Sequence, residues 1–171
     1  MRRAIGFNRT ATVLRTGGVA AMSFATGNMG VATTMLQRQR AAAAATLYTR
    51  GAGDLDLTLV LADASTRGRA DPAFAAHSEP INQWALAVWC RWMTSSELAR
   101  LHEHAQHQCR DADRMWSRVA GPAAAAAASA KRIGWKMPSA DCFITDEGRT
   151  LNLTLDAPAD VEVAVQHYVR R

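Results

Sequence analysis

The central part of the chain carries apolar residues at the spacing of a helix. From Ser78 onwards they recur at i, i+3, i+4, i+7 and i+11, which places them on one helical face. The residues of this face are Ile81, Trp84, Ala85, Val88 and Trp92. Pro80 fits the first turn, where its missing N–H costs nothing. Leu86, Trp89 and Met93 form a second apolar face. The pattern predicts a buried helix that begins at Ser78.

Two more helices are predicted upstream of it. The alanine-rich stretch from Val31 to Leu47 favours a helix, because alanine has the highest helix propensity. The following stretch, DLDLTLVLAD, alternates as a strand does, but its apolar residues also fit one helical face. These residues are Leu55, Leu59 and Ala62. We interpret the stretch as a helix with Asp54 as its cap.

Two helices are predicted downstream. The stretch TSSELARLHEHAQHQC indicates a helix capped by Ser95 or Ser96, with Glu97 in the first turn. A further helix begins at Gly121 and Pro122 and contains six consecutive alanines. Because small side chains let a neighbour approach closely, we expect this alanine helix to lie against the tryptophan-rich one. Trp116 and Trp135 are then expected at its two ends.

The C-terminal part shows the clearest β pattern. Residues 142–145 and 150–155 flank a turn that contains Gly148, and leucines alternate in the second stretch. This predicts a hairpin. A last helix is predicted after Asp156 as its cap, with Pro158 in its first turn. Its predicted apolar face consists of Val161, Val165 and Tyr168.

These elements predict a mainly α fold: a helical bundle-like domain with a small C-terminal β-hairpin followed by a helix. We expect a basic, glycine-punctuated N-terminal segment over residues 1–30 and a single mostly helical domain over 31–171. No apolar run reaches the roughly 18 residues that a transmembrane helix needs, so no membrane span is predicted.

The composition is that of a folded domain. Apolar residues make up 49% of the chain and charged residues 20%, which excludes the disordered class. Much of the apolar share is alanine, which buries little area, so we expect modest stability and dependence on a partner. The three cysteines show no paired spacing, which favours a reducing compartment.

The net charge of +5 is distributed unevenly. Residues 1–50 contain seven arginines and no acidic residue, whereas the remaining residues have a net charge of −2. A basic arm on a nearly neutral body indicates a polyanion partner, an anionic membrane surface or a targeting segment. The competing explanation is GC-rich coding, which enriches Ala, Arg and Gly together.

The first 25 residues are rich in arginine and free of acid, as mitochondrial transit peptides are. On a helix, Phe7, Ala11 and Leu14 share a face with Ala4, opposite Arg9. We therefore predict a mitochondrial location. An untargeted basic tail, on a cytoplasmic or nuclear protein, is the alternative.

Five basic residues are candidate nucleic-acid contacts, because arginine and lysine bind backbone phosphates without regard to sequence. They are Arg38, Arg40, Arg50, Lys131 and Arg132. In the competing interpretation these arginines lie over the alanine surface and form salt bridges with Asp54 or Asp56.

The sequence offers little for catalysis or metal binding. His104 and His107 are one helical turn apart, but a zinc site needs further ligands. We interpret them as ordinary histidines on an exposed helix. No nucleophile, base and orienting group occur at supporting spacings, so we predict neither catalytic residues nor a metal or cofactor.

Two functions remain. The leading hypothesis is a non-catalytic structural subunit of a larger protein assembly, with other protein subunits as partners and the mitochondrion as its location. The alternative is a non-specific nucleic-acid-binding module, acting alone or within a ribonucleoprotein, with RNA or DNA as the partner. The sequence predicts neither the assembly nor the oligomeric state.

Overall fold

The structure is a computed structural model that describes residues 6–47, 55–66 and 70–169. The described residues form two compact units. Unit 1 consists of the described residues of Met1–Phe24 and Thr33–Ala75, and unit 2 of those of Ala25–Ala32 and Ala76–Arg171. The predicted division at residue 30 stays a prediction.

The described part of the chain is mainly helical, which confirms the predicted fold class. The helices are α1 (Phe7–Val13), α2 (Ala20–Met22), α3 (Thr26–Met29), α4 (Thr33–Leu47), α5 (Leu55–Thr66), α6 (Pro72–Trp89), α7 (Ser95–Gln108), α8 (Met115–Arg118), α9 (Pro122–Arg132) and α10 (Pro158–Val169). A π-helical segment, Leu14–Val19, joins α1 to α2. The strands are β1 (Lys136–Ser139), β2 (Cys142–Ile144) and β3 (Thr150–Asn152).

Unit 1 is built around a small apolar core. Ala11 and Leu14, from the predicted apolar face of the N-terminal helix, are buried together with residues of α4 and α5. The α4 and α5 residues are Ala43, Leu47, Leu59 and Ala62. Arg9 is exposed, as the helical pattern predicts. Ala4 and the predicted cap Asp54 lie outside the described residues.

Helix α6 begins six residues before the predicted start. The backbone N–H of Ala73 donates to Asp71 Oδ1 at 2.8 Å, and Pro72 is the first helical residue. An aspartate that accepts from the helix N-terminus, followed by proline, is a favourable start. Pro80 therefore lies inside the helix rather than in its first turn, and the predicted boundary at Ser78 was wrong.

The predicted buried face of α6 is confirmed up to its C-terminus. Ile81 and Trp84 are fully buried, and the indole Nε1 of Trp84 donates to the Ala140 carbonyl at 2.7 Å. The helix ends at Trp89, and Arg91 adopts a positive φ of 53°. This reversal directs the chain out of the helix, so Trp92 is 64% exposed instead of buried.

The cap of α7 is neither of the two predicted serines. The hydroxyl of Thr94 accepts from the Glu97 backbone N–H, and Glu97 Oε2 accepts from the Thr94 backbone N–H at 2.8 Å. This reciprocal capping box fixes Ser95 as the first helical residue.

The alanine helix α9 begins after Gly121 with Pro122 at its first position, as predicted. Residues 123–130 are all buried. The closest helical neighbours of α9 are α7 and α3, and it also lies against β1. Its expected packing against the tryptophan-rich α6 is corrected accordingly: α6 supplies side chains to the same core without being its close neighbour.

The predicted hairpin is confirmed as β2 and β3, with Phe143 opposite Leu151 in an antiparallel register. The second strand ends at Asn152 instead of continuing to residue 155, and a turn follows in which Leu155 is exposed. In the described residues β1 adds a third strand beside β2, which the sequence pattern did not predict. The last helix, α10, begins at Pro158 and buries Val161 and Val165, as predicted. Asp156 does not show the predicted cap contact, because its Oδ2 accepts from the backbone N–H of Asn152 at 2.6 Å.

In the segments that the structure describes, no helix combines the length and apolarity needed to cross a membrane.

Candidate functional site

The guanidinium of Arg40 is held inside unit 1 by two carboxylates. Its Nε donates to Asp71 Oδ1 at 3.1 Å and Oδ2 at 3.0 Å, and its Nη2 donates to Asp56 Oδ1 at 2.7 Å. Burial alone would lower the pKa of Arg40, but hydrogen bonds and charges from Asp71 and Asp56 raise it overall. Arg40 therefore links α4, α5 and the start of α6 as a permanent cation.

The other two arginines predicted to contact phosphate in this part of the chain are placed differently. Arg38 lies on α4 with an exposed side chain. Arg50 lies outside the described residues. In unit 1 the structure thus describes one exposed candidate, Arg38, and one that carboxylates already bind.

Lys131 and Arg132 belong to unit 2, and both make contacts within that unit. Lys131 Nζ donates at 3.0 Å to the carbonyl of Cys109, the residue that ends α7. A cation there stabilises the negative end of the helix dipole. Lys131 therefore has a structural role before any ligand is considered.

Arg132 is packed among protein groups without a carboxylate partner. Its Nη2 donates to the Val31 carbonyl, and its guanidinium carbon lies 4.0 Å from the centroid of the Trp116 ring. Nε and Nη1 are buried and have no hydrogen-bond partner in the described protein. Burial lowers the pKa of Arg132 to about 10, so the group stays charged at neutral pH. It holds residues 25–32 against α9 rather than facing solvent.

A groove of about 920 Å³ opens on the surface of unit 2 between α7, the C-terminal half of α9 and β1. Its base is apolar and includes Ala127, Trp135 and Met137. The amide Nε2 of Gln106 donates to the Met137 carbonyl at 3.0 Å, which holds α7 beside β1.

The groove carries an excess of positive charge. Its charged lining residues are the cations Arg110, Lys131 and Lys136 and the carboxylate Glu103, a net charge of +2. The side chains of His102 and His107 also line it. Cations above an apolar base are suited to an anionic ligand with an apolar part.

The thiol at the groove has little nucleophilic character. Burial raises the pKa of Cys109, and the charge of Lys131 offsets this only in part. Its Sγ donates to the Ala124 carbonyl at 3.8 Å. Because the thiolate is the reactive form, the protonated Cys109 serves packing.

His104 and His107 are both exposed on α7, which agrees with their interpretation as ordinary histidines on an exposed helix. His102 and His107 both line the groove, whereas His104 Nδ1 lies 3.3 Å from Gln108 Nε2 in a hydrogen bond along the helix. His104 is not among the described residues that line the groove. Within the described residues, no group of three or more His, Cys, Asp or Glu side chains could hold a metal ion.

Sequence reasoning identified one of the three cations of the groove, Lys131. Arg110 and Lys136 were missed because they lie far apart in the sequence. Arg110 follows α7, and Lys136 is the first residue of β1. The available signal was the run of basic residues on both sides of Trp135, Lys131-Arg132 and Lys136. It gains meaning only once β1 is known to lie beside α9.

Comparisons with protein-family models, with curated proteins and with solved structures find no significant match to this chain. The chemistry of its own residues therefore carries the functional argument.

Proposed function

We propose that this chain is a non-catalytic structural subunit of a larger protein assembly, and that it joins a protein partner through α5. The observation that carries the proposal is a second apolar face on α5. Leu57, Val60 and Leu61 are 57%, 62% and 55% exposed.

The two faces of α5 differ in what covers them. Leu59 and Ala62, one turn apart, are buried in the core of unit 1. At about 100° per residue, Leu57, Val60 and Leu61 fall on the opposite side of the helix. A helix that is apolar on both sides is normally buried on both sides. The exposed face therefore has the composition of a protein-docking surface.

The nucleic-acid alternative has weaker support. Two of its five residues, Arg40 and Arg132, have guanidinium groups that contact other parts of the protein. Lys131 is bound to a helix carbonyl. Each such contact would have to be given up, or shared, before the residue could neutralise a phosphate.

The proposal is tested by the native size of a tagged chain in cell extract. Wild type should elute well above its own mass of 18.5 kDa. Val60→Lys places a charge at the centre of the exposed face and should elute as the free monomer. Because residue 60 faces solvent in the isolated chain, the thermal unfolding of the purified variant should match wild type.

A matched control adds the same charge elsewhere. Gln37→Lys changes an exposed residue of α4 and should leave the native size unchanged. Elution of wild type as a free 18.5 kDa monomer, or of Val60→Lys together with wild type, would contradict docking through α5.

The proposed location of the assembly is the mitochondrion. Support comes from the arginine-rich, acid-free composition of the first 25 residues. Fluorescence imaging of a C-terminally tagged chain should show a mitochondrial pattern. A uniform cytoplasmic or a nuclear signal would remove this part of the proposal.

A further inference from the structure

The geometry points to a ligand site in the groove between α7, α9 and β1: it binds a small organic anion with a phosphate group and an apolar part. This inference concerns unit 2 alone and is independent of docking through α5.

The charged groups that line the groove are mainly positive, which favours an anionic ligand. Arg110 follows α7, Lys131 lies in α9 and Lys136 begins β1, and all three line the groove. Glu103 is the single carboxylate among the described lining residues. Separated cations that converge on one volume bind a phosphate better than either isolated cation does, since each adds a charge-assisted hydrogen bond.

One of the cations, Lys131, is held in place before a ligand binds. Lys131 Nζ is fixed by its 3.0 Å hydrogen bond to the Cys109 carbonyl, and an ammonium group has three donors. One donor is used and the others remain to meet a ligand. A lysine that is already ordered loses less entropy on binding than a mobile one.

The groove has the size and the apolar base of a small-molecule site. A volume of about 920 Å³ lies within the range of small-molecule sites and exceeds what a bare ion requires. The base contains Ala127, Met137 and Trp135, and each of these residues is less than about a tenth exposed. Such a base suits an apolar ligand part rather than a second charged group.

Two buried ring nitrogens of the lining residues lack hydrogen-bond partners among the described residues. Trp135 Nε1 and His102 Nδ1, which both belong to lining residues, are buried without a hydrogen-bond partner in the described protein. A buried donor without an acceptor is unfavourable. The indole N–H of Trp135 can only donate, so a ligand oxygen that reaches it satisfies this donor.

The test is isothermal titration calorimetry on the full chain with adenosine 5′-monophosphate, adenosine and inorganic phosphate as probes. Adenosine 5′-monophosphate should bind saturably, one per chain. Adenosine and inorganic phosphate should each bind at least roughly tenfold more weakly, because each lacks one half of the recognised chemistry.

Lys136→Ala should weaken binding of adenosine 5′-monophosphate roughly tenfold, the effect of one lost charge-assisted hydrogen bond. Lys136 is preferred to Lys131 for this test because Lys131 also stabilises the end of α7. Arg149→Ala is the matched control, since Arg149 is exposed in the turn between β2 and β3. It should bind as wild type does.

Three results would overturn the inference. The first is no saturable binding of adenosine 5′-monophosphate, including the case in which a single-stranded oligonucleotide binds instead. The second is an equal loss of affinity in Lys136→Ala and Arg149→Ala. The third is inorganic phosphate binding as tightly as the nucleotide, which indicates a simple anion site.

Discussion

A single threonine determines where α7 begins. The Thr94 hydroxyl and the Glu97 carboxylate satisfy each other's backbone N–H groups, which would otherwise have no partner at the helix start. The sequence contained this information, because Thr94 is the residue three positions before Glu97. Ser95 and Ser96 have the same hydroxyl chemistry, but they are closer to Glu97 than the three positions that a capping box requires.

We expect Thr94→Ala to lower the free energy of unfolding by about 1 kcal/mol, the usual cost of losing an N-cap side chain. Ser95→Ala changes the neighbouring hydroxyl, which the sequence also allowed as a cap, and should change stability by less than about 0.5 kcal/mol. Urea unfolding of both variants at pH 7 measures the difference. Equal effects would show that the cap is misassigned.

The same capping box predicts a pH dependence. Hydrogen bonds from the backbone N–H and the hydroxyl of Thr94 lower the pKa of Glu97. A lowered folded-state pKa means that the stabilisation is present above the unfolded-state pKa and is lost as the pH falls through the folded value. The stability difference between wild type and Glu97→Gln should therefore shrink in acid, below about pH 4.

At the level of elements, the sequence predicted which segments are helical better than it predicted where each helix begins and ends. Helical periodicity identified α5, α6 and α10, because their buried faces carry large apolar residues at regular spacing. The start of α6 was missed because the residues just before Ser78 include only one large apolar side chain, Phe74, and so show no helical face. β1 was missed because its four residues contain a proline and show no apolar alternation.

The neighbours of α9 could not be predicted, and the reason is physical. A helix with alanine on every side has no preferred face, so its sequence does not indicate which element lies against it. The large side chains of other elements decide its position, and α7, α3 and β1 occupy the space. The groove that depends on this arrangement was unpredictable for the same reason.

At the level of the whole molecule, the central question is what the arginines do. The number of arginines in the acid-free first 50 residues indicated a polyanion partner. The structure instead places Arg40 between two carboxylates and Arg132 against an indole ring. The competing interpretation of the sequence named Asp54 or Asp56 as salt-bridge partners, and Asp56 is one partner of Arg40. Asp71 was not predicted, because only the folded chain brings it to Arg40.

The most direct test of this account is the unfolding free energy of Arg40→Ala, compared with that of Arg38→Ala. Removing Arg40 takes away the cation that binds both Asp56 and Asp71, and the side chain of Asp71 is only 13% exposed. Arg40→Ala should lower the free energy of unfolding by about 2–3 kcal/mol, less than the loss of a fully buried pair would, because Asp56 is largely exposed. Arg38→Ala should change stability by less than about 0.5 kcal/mol. The opposite result, which contradicts the account, would be that Arg40→Ala and Arg38→Ala are equally stable. In that case Arg40→Ala would instead reduce the slope of log nucleic-acid affinity against log salt concentration by about one phosphate contact.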